Sequence, residues 1–250
     1  MIIECEQVNV FLEDDHILHD VSFQLGEGEM VALLGGNGSG KTTLLRTVLG
    51  LIPRSSGSVL VQGTPVEKLS DWRGIGYVPQ RSQLNVASAT VQEIVTSGRL
   101  AHRKPFRPLG GADKAAINEA LEAVRLTSKA GLEMGILSGG QRQRAMIARA
   151  LASKPAAILL DEPLAGLDVR SQDELAVVLN HLKEDGTALL IVLHELGPAE
   201  KFIDRAIVLR EGRIIHDGPL RSGSGPVDCG PCDEVENSLI QATFDLPRRP

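Results

Sequence analysis

The sequence predicts an α/β fold: a mainly parallel sheet covered by helices on both faces, with an N-terminal antiparallel β layer and an inserted α-helical subdomain. Three observations predict it. Short apolar runs, "EMVALLG" (29–35), "AAILLD" (156–161) and "ALLIVLH" (188–194), read as strands buried on both faces. Stretches with apolar residues at helical spacing alternate with them, "KTTLLRTVLGL" (41–51) and "SQDELAVVLNHLKEDG" (171–186). The N-terminal runs "QVNVFL" (7–12) and "VSFQL" (21–25) instead alternate apolar with polar, as half-buried strands do, and "GSVLVQG" (57–63) supplies another.

In chain order, residues 1–85 hold the antiparallel layer and the first part of the core. Residues 86–150 change to helix formers, "TVQEIVTSGRL" (90–100) and "GADKAAINEALEAVRL" (111–126), with Thr90 and Asp113 placed as N-caps. The second part of the core follows over 151–220. From 221 to 250 the chain is rich in glycine, serine, proline and acids, the composition of a mobile tail. It shows no internal repeat and no heptad pattern.

With 250 residues, 42% of them hydrophobic, the chain can bury a substantial core. A formal net charge of -6 gives no basic face for a nucleic acid backbone, and no such partner is expected. Its longest apolar runs, such as "ALLIVL" (188–193), fall well short of the roughly 18–20 residues of a membrane-spanning helix. The opening "MIIECEQVNVFLEDD" lacks the basic and apolar regions of a secretory signal, so the expected compartment is cytoplasmic. Cys5, Cys229 and Cys232 are too few, and odd in number, for a disulfide framework.

The loop after the first buried strand reads "GGNGSGKT" (35–42): glycine, four residues, then Gly-Lys-Thr. Glycines let the backbone curl so that successive N–H groups face one phosphate, and the next helix adds its positive end. Gly35, Gly36, Asn37, Gly38, Ser39 and Gly40 form this cradle. Lys41 reaches the outer phosphates, Thr42 ligates Mg²⁺ through its hydroxyl, and Thr43 contacts an inner phosphate. A glycine-rich turn that binds nothing is the plain alternative; the placement between strand and helix favours the nucleotide.

Asp161 ends the second buried strand, where it can hold Mg²⁺ through water, and Glu162 follows on the adjacent turn, aimed differently. In phosphoryl transfer the protein mainly positions groups and neutralises charge, which leaves one residue to handle the attacking water. Glu162 is placed for that task. Without the phosphate loop, both acids would read as an ordinary strand-to-loop boundary. A lone histidine at a strand end, such as His194, is more often structural. Ligands of parallel sheets gather at the carboxyl ends of strands, however, so His194 shares an edge with Gly35 and Asp161 and can contact a terminal phosphate.

A second glycine turn, "LSGGQ" (137–141), also opens a helical run. Ser138 can cap that helix, and Gly139 and Gly140 let a phosphate approach bare amides. It has no lysine. A helix start that lacks its own charge makes sense as the other half of a site whose lysine lies elsewhere; a Gly-Gly hinge is the alternative that the residues alone allow.

The ordered set "GGNGSGKT", "YVPQ" ending at Gln80, "LSGGQ", "ILLDEP" (158–163), "LAGLD" ending at Asp168 and "IVLHE" with His194 resembles the ATP-binding cassette (ABC) ATPases over about residues 2–220. The resemblance implies a P-loop NTPase (RecA-like) core that hydrolyses ATP with Mg²⁺. It also implies that two cassettes pair head to tail, as a homodimer here, so that Ser138, Gly139, Gly140 and Gln141 face the phosphate loop of the other chain. Asp168 would work across the seam. Gln80 would join Thr42 and Asp161 around Mg²⁺, act with Glu162 and His194 in catalysis, and link the nucleotide to the helical insert. Three positions depart from the family pattern: Leu12 stands where an aromatic residue usually stacks on adenine, with Phe11 one place away; Gly36 replaces a common proline; and Glu195 stands where aspartate is usual.

A cassette without membrane helices looks like the ATPase of a bacterial importer, at the cytoplasmic face of the inner membrane, with integral membrane permease subunits and, indirectly, a substrate-binding protein as partners. "ATVQEIVTSGRLAHRKPF" (89–106) is similar to the corresponding stretch of zinc, manganese and iron-chelate importer ATPases, which favours zinc or manganese, with iron-siderophore or haem import the nearest alternative. In "GRLAHRKPFRP" (98–108), Arg99, Arg103, Lys104 and Arg107 stand without an acid, as a solvated turn or a patch near lipid or permease. "DCGPCDE" (228–234) has the Cys-x-x-Cys spacing of half a zinc site or a redox motif, and an inert tail is the simpler reading. An ABC ATPase acting on DNA or the ribosome is the alternative of another class; the long coiled coils or paired cassettes of those relatives are not in this layout. Release of lipoprotein or peptide is a third.

Overall fold

The computed structural model describes residues 1–80, 87–102 and 108–220. Two sheets form in it. The first is antiparallel, in the order β2-β1-β4-β5, from β1 (Ile3–Leu12), β2 (Asp15–Leu25), β4 (Ser56–Val61) and β5 (Thr64–Pro65). The second runs β10-β9-β3-β8-β7-β6, from β3 (Met30–Leu34), β6 (Ile75–Val78), β7 (Ala157–Asp161), β8 (Ala188–Val192), β9 (Arg205–Arg210) and β10 (Arg213–Gly218). All its neighbours pair in parallel except β9 and β10.

Every residue of β3, β7 and β8 is buried, because the sheet carries a core on each side. Successive side chains alternate between the two cores, as the pleat demands. Met30, Ala32, Leu34, Ile158, Leu160, Leu189 and Ile191 face one, together with α2 (Val91–Ser97), α3 (Gly111–Ala123), α4 (Gly139–Leu151) and α5 (Val169–Glu184). Val31, Leu33, Leu159, Leu190 and Val192 face the other, against α1 (Lys41–Val48) and the antiparallel sheet. Leu190 is fully buried, so its truncation to alanine costs about 2–5 kcal/mol.

The α/β architecture matches the expectation, and the β9–β10 hairpin adds to it. The "EG" between those strands has Glu211 and Gly212 at φ 48° and 73°, a turn with both central residues left-handed, which suits the twist of a hairpin. Gly212 has structural work: a Cβ there would meet Ile17 O at 2.1 Å, and its N–H donates to Ser39 O at 3.1 Å. The hairpin therefore braces the phosphate loop.

Thr90 caps α2 as expected, accepting from Glu93 N at 3.2 Å, while Glu93 accepts from Thr90 N at 2.7 Å. Asp113 does not cap α3. The cap is Gly110, in extended conformation, and Asp113 sits in the first turn, accepting from Gly110 N at 3.1 Å. Its other oxygen is taken by Arg99 at 3.0 Å. Arg99 in turn is no part of an exposed basic patch: it is only 7% exposed, and an acid distant in sequence neutralises it. Arg103, Lys104, Arg107, Cys229 and Cys232 lie outside the described residues, as does the stretch 221–250.

Candidate active site

Four adjacent strands, β3, β8, β7 and β6, run parallel and end on one edge. Gly35 follows β3, His194 lies just past β8, Asp161 ends β7 and Gln80 lies just past β6. Residues far apart in sequence thus meet because each leaves the carboxyl end of a neighbouring strand.

The phosphate loop needs its glycines for two reasons. A Cβ on Gly35 would stand 2.1 Å from Leu209 O, so the loop could not lie against β9. Gly40, at φ 103°, opens α1 in a left-handed conformation that frees the helix N-terminus from any side-chain cap. Ser39 Oγ is buried and has no hydrogen-bond partner among the described residues. Lys41 is buried too, and its ammonium donates to Gly35 O at 2.5 Å and Gly36 O at 2.9 Å, curled over the loop that its charge is suited to share with an anion. A buried hydroxyl without a partner, a buried ammonium and uncapped helix amides fit a polyphosphate. Asn37 and Gly38 are exposed at the rim, and Thr43 is half-buried.

Thr42 Oγ1 lies 3.4 Å from Asp161 Oδ1 across the gap between α1 and β7. A hydroxyl and a carboxylate facing one another are hard oxygen donors of the kind Mg²⁺ takes. Asp161 is buried at 3% exposure, and its pKa is raised, first by burial and second by the neighbouring Glu162 carboxylate. A divalent cation would relieve both.

Glu162 follows Asp161 at φ 50°, in the left-handed region, and its carboxylate has partners of its own. His194 Nε2 stands 2.6 Å from its Oε1, and Gln80 Nε2 donates to its Oε2. The three residues expected to act together therefore meet. A cleft of about 160 Å³ opens beside Glu162 and His194, lined further by Leu164, Gly166, Gln172 and Glu195. Glu195 is in that lining and keeps a carboxylate where the family usually has aspartate.

Ser138 caps α4, accepting from Gln141 N at 3.3 Å, while Gln141 Oε1 accepts from Ser138 N at 3.3 Å. Gln141 is thus engaged in the cap of its own helix. Ser138 and Gly139 are exposed, and Gly140 is buried because a Cβ there would strike Ser171 at 2.8 Å. Asp168 caps α5, accepting from Ser171 N at 2.9 Å and Ser171 Oγ at 2.8 Å, which lowers its pKa. The Ser138 turn and the Asp168 turn therefore touch through Gly140 and Ser171.

Phe11 stacks on His16 with ring centroids 4.1 Å apart and planes 9° from parallel, and His16 rests on His19. Leu12 pairs with Asp15 at the hairpin end. On the same strand as His16, Leu18 lies where a Cβ on Gly40 would be, which places β2 beside the phosphate loop. Sequence reasoning missed His16, Leu209 and Gly212; only the alternation of β2 and the Glu-Gly turn after β9 could have pointed to them.

The family described as "ABC transporter" matches residues 18–165. The chain is 38% identical over 222 residues to the zinc uptake system ATP-binding protein ZurA of Listeria innocua, covering 87% of this chain and 85% of the relative. This chain belongs to the ABC transporter ATPase family. It is also 36% identical to the manganese transport system ATP-binding protein MntB of Halalkalibacterium halodurans, covering 88% and 86% of the two chains. Among solved structures, the ATP-binding cassette MJ0796, a dimer in a post-hydrolysis state bound to ADP and Pi, is 30% identical, with a TM-score of 0.73 over 88% of this chain and 100% of that one. No helix among the described residues is long and apolar enough to cross a membrane.

Proposed function

We propose that this ABC ATPase hydrolyses ATP to energise uptake of a metal ion, zinc or manganese, through separate permease subunits, and that it works as a homodimer at the cytoplasmic face of the membrane. The observation that carries the chemistry is the convergence of Lys41, Thr42, Asp161, Glu162, His194 and Gln80 at one sheet edge. Identity of 38% to a zinc uptake ATPase across most of both chains supports the cargo.

In this reading Gly35 to Gly40 wrap the phosphates with backbone amides, and Lys41 exchanges its two loop carbonyls for outer phosphate oxygens. Thr42 and Asp161, with Gln80, would hold Mg²⁺, which would supply neutralisation of charge on the phosphate oxygens. Glu162 orients the attacking water and accepts its proton. His194 holds Glu162 on one side and is placed to contact the terminal phosphate; Gln80 holds the other side and leads into the helical insert. Ser138, Gly139, Gly140 and Gln141 supply the far wall of the site in the partner chain, and Asp168 stands beside that wall. Phe11, already stacked on His16 of the strand whose Leu18 packs at Gly40, takes the adenine in place of the residue at Leu12.

The test is to purify the chain from membranes with whatever binds it, and to measure cellular metals after its deletion. Co-purification with a membrane-spanning permease, and a fall in cellular zinc or manganese, are expected. A fall in iron alone would move the cargo to an iron chelate. Co-purification with ribosomes or DNA would overturn the transport reading.

A further inference from the structure

Gly98 and Arg99 follow α2, and both act on the far end of α4. A Cβ at Gly98 would stand 1.9 Å from Arg149 O, so glycine alone lets the exit of α2 cross the last turn of α4. Arg99 Nη1 then donates to Ala152 O at 2.9 Å while its Nε donates to Asp113 Oδ1 at 3.0 Å. Three residues on, His102 Nε2 lies 3.0 Å from Ser153 O; a carbonyl only accepts, so that nitrogen carries the proton. The last carbonyls of an α-helix lack intrahelical donors, and that end is electronegative, so a buried guanidinium there makes a strong, directed contact.

We propose that Arg99 is a positioning residue for the site between two chains. By capping the C-terminal end of α4 at Ala152 O, it fixes where Ser138, Gly139 and Gly140 stand at the opposite end, while its bond to Asp113 adds stability without setting that position. The inference rests on the proposed reading of those three residues as the phosphate-facing half of the partner's site. Helix α4 has 13 residues, about 20 Å at ~1.5 Å per residue. A tilt of about 3° about the anchored end moves Ser138 by about 1 Å, and a misplacement of that size can cost about 10²-fold in rate. Arg144, also buried on α4, reaches Val124 O and Glu174 and steadies the middle of the helix instead. The same geometry gives a physical reason for glycine followed by arginine at 98–99.

The test uses the Glu162→Gln chain as parent and adds Arg99→Lys or Asp113→Asn. Lysine keeps the charge and loses the two-pronged fork; asparagine at 113 removes the ion pair and leaves Arg99 on Ala152 O. For each variant one measures the thermal midpoint, the affinity for fluorescent ADP, and ATP-induced dimerisation by analytical ultracentrifugation. Both substitutions are expected to lower the midpoint and neither to change ADP affinity. Arg99→Lys alone is expected to weaken dimerisation about tenfold, within the usual range of coupling between distant positions. Dimerisation that is unchanged in Arg99→Lys, or weakened by both variants in step with the midpoint, makes Arg99 a structural tie only and overturns the inference. A parent that stays monomeric with ATP overturns the reading of Ser138 as well, so the two failures are told apart.

Discussion

His194 Nε2 stands 2.6 Å from Glu162 Oε1, closing one side of a carboxylate whose other oxygen accepts from Gln80. The two partners leave different strands, so the direction of Glu162 is set by the sheet and not by its own loop. In the proposed mechanism Glu162 is the general base, and a base held from both sides loses little freedom when water arrives between it and a phosphate.

Glu162→Gln keeps the shape of this arrangement and removes its proton acceptor. It is expected to bind ATP as the wild type does, to lower kcat by about 10²-fold or more, and to accumulate as an ATP-bound dimer. Gel filtration with ATP and Mg²⁺ reads this directly. A variant that stays monomeric while the wild type dimerises contradicts the assignment.

Asp161 carries a cost in the ligand-free protein. Burial, then the Glu162 carboxylate, raise its pKa, so the folded chain holds that proton more tightly than the unfolded chain does. Its contribution to stability is therefore full below the ordinary carboxyl range and lost as pH rises through the raised value. Asp161→Asn is expected to raise the ligand-free Tm at pH 7 and to abolish the Mg²⁺-dependent rise with ATP. A lower Tm without ligand, or a preserved Mg²⁺ effect, would count against the metal role.

Phe11 and Leu12 compete for the adenine, and the existing Phe11–His16 stack favours the first. Stacking of a base on an aromatic ring is worth about 1–3 kcal/mol by alanine substitution, so Phe11→Ala should weaken ATP binding by roughly 5- to 150-fold. Leu12→Ala should change it less. Titration with fluorescent ATP decides between them, and the reverse order of effects would move the base to Leu12.

Mixing two inactive variants separates a site made within one chain from a site shared by two. Lys41→Ala removes the loop charge, and Ser138→Arg fills the approach to the second glycine turn. In a mixed dimer both lesions fall in one shared site and the other site is intact, so mixing is expected to restore ATP hydrolysis that neither variant shows alone. No recovery, in a mixture shown to form mixed dimers, would place both halves in the same chain.

The parallel core was legible because β3, β7 and β8 are buried on both faces and must be continuously apolar, a pattern that survives in sequence. Thr90 and Ser138 were legible as caps for the same local reason: a hydroxyl before a helical run, with Glu93 or Gln141 three places on. Asp113 misled because an acid in the first turn of a helix looks like a cap; its actual partner, Arg99, is a tertiary contact that spacing does not encode. The same blindness made Arg99 look like a surface charge. The β9–β10 hairpin carries its own turn signal, but its bracing of Ser39 through Gly212 depends on packing that only the folded chain displays.

The most direct test of the shared site is a crystal structure of the Glu162→Gln protein with ATP and Mg²⁺. The account predicts two nucleotides between two chains, each γ-phosphate contacted by Lys41 of one chain and by the backbone amides of Gly139 and Gly140, with the Ser138 hydroxyl, of the other. Residues 138–140 lying far from every γ-phosphate would contradict it.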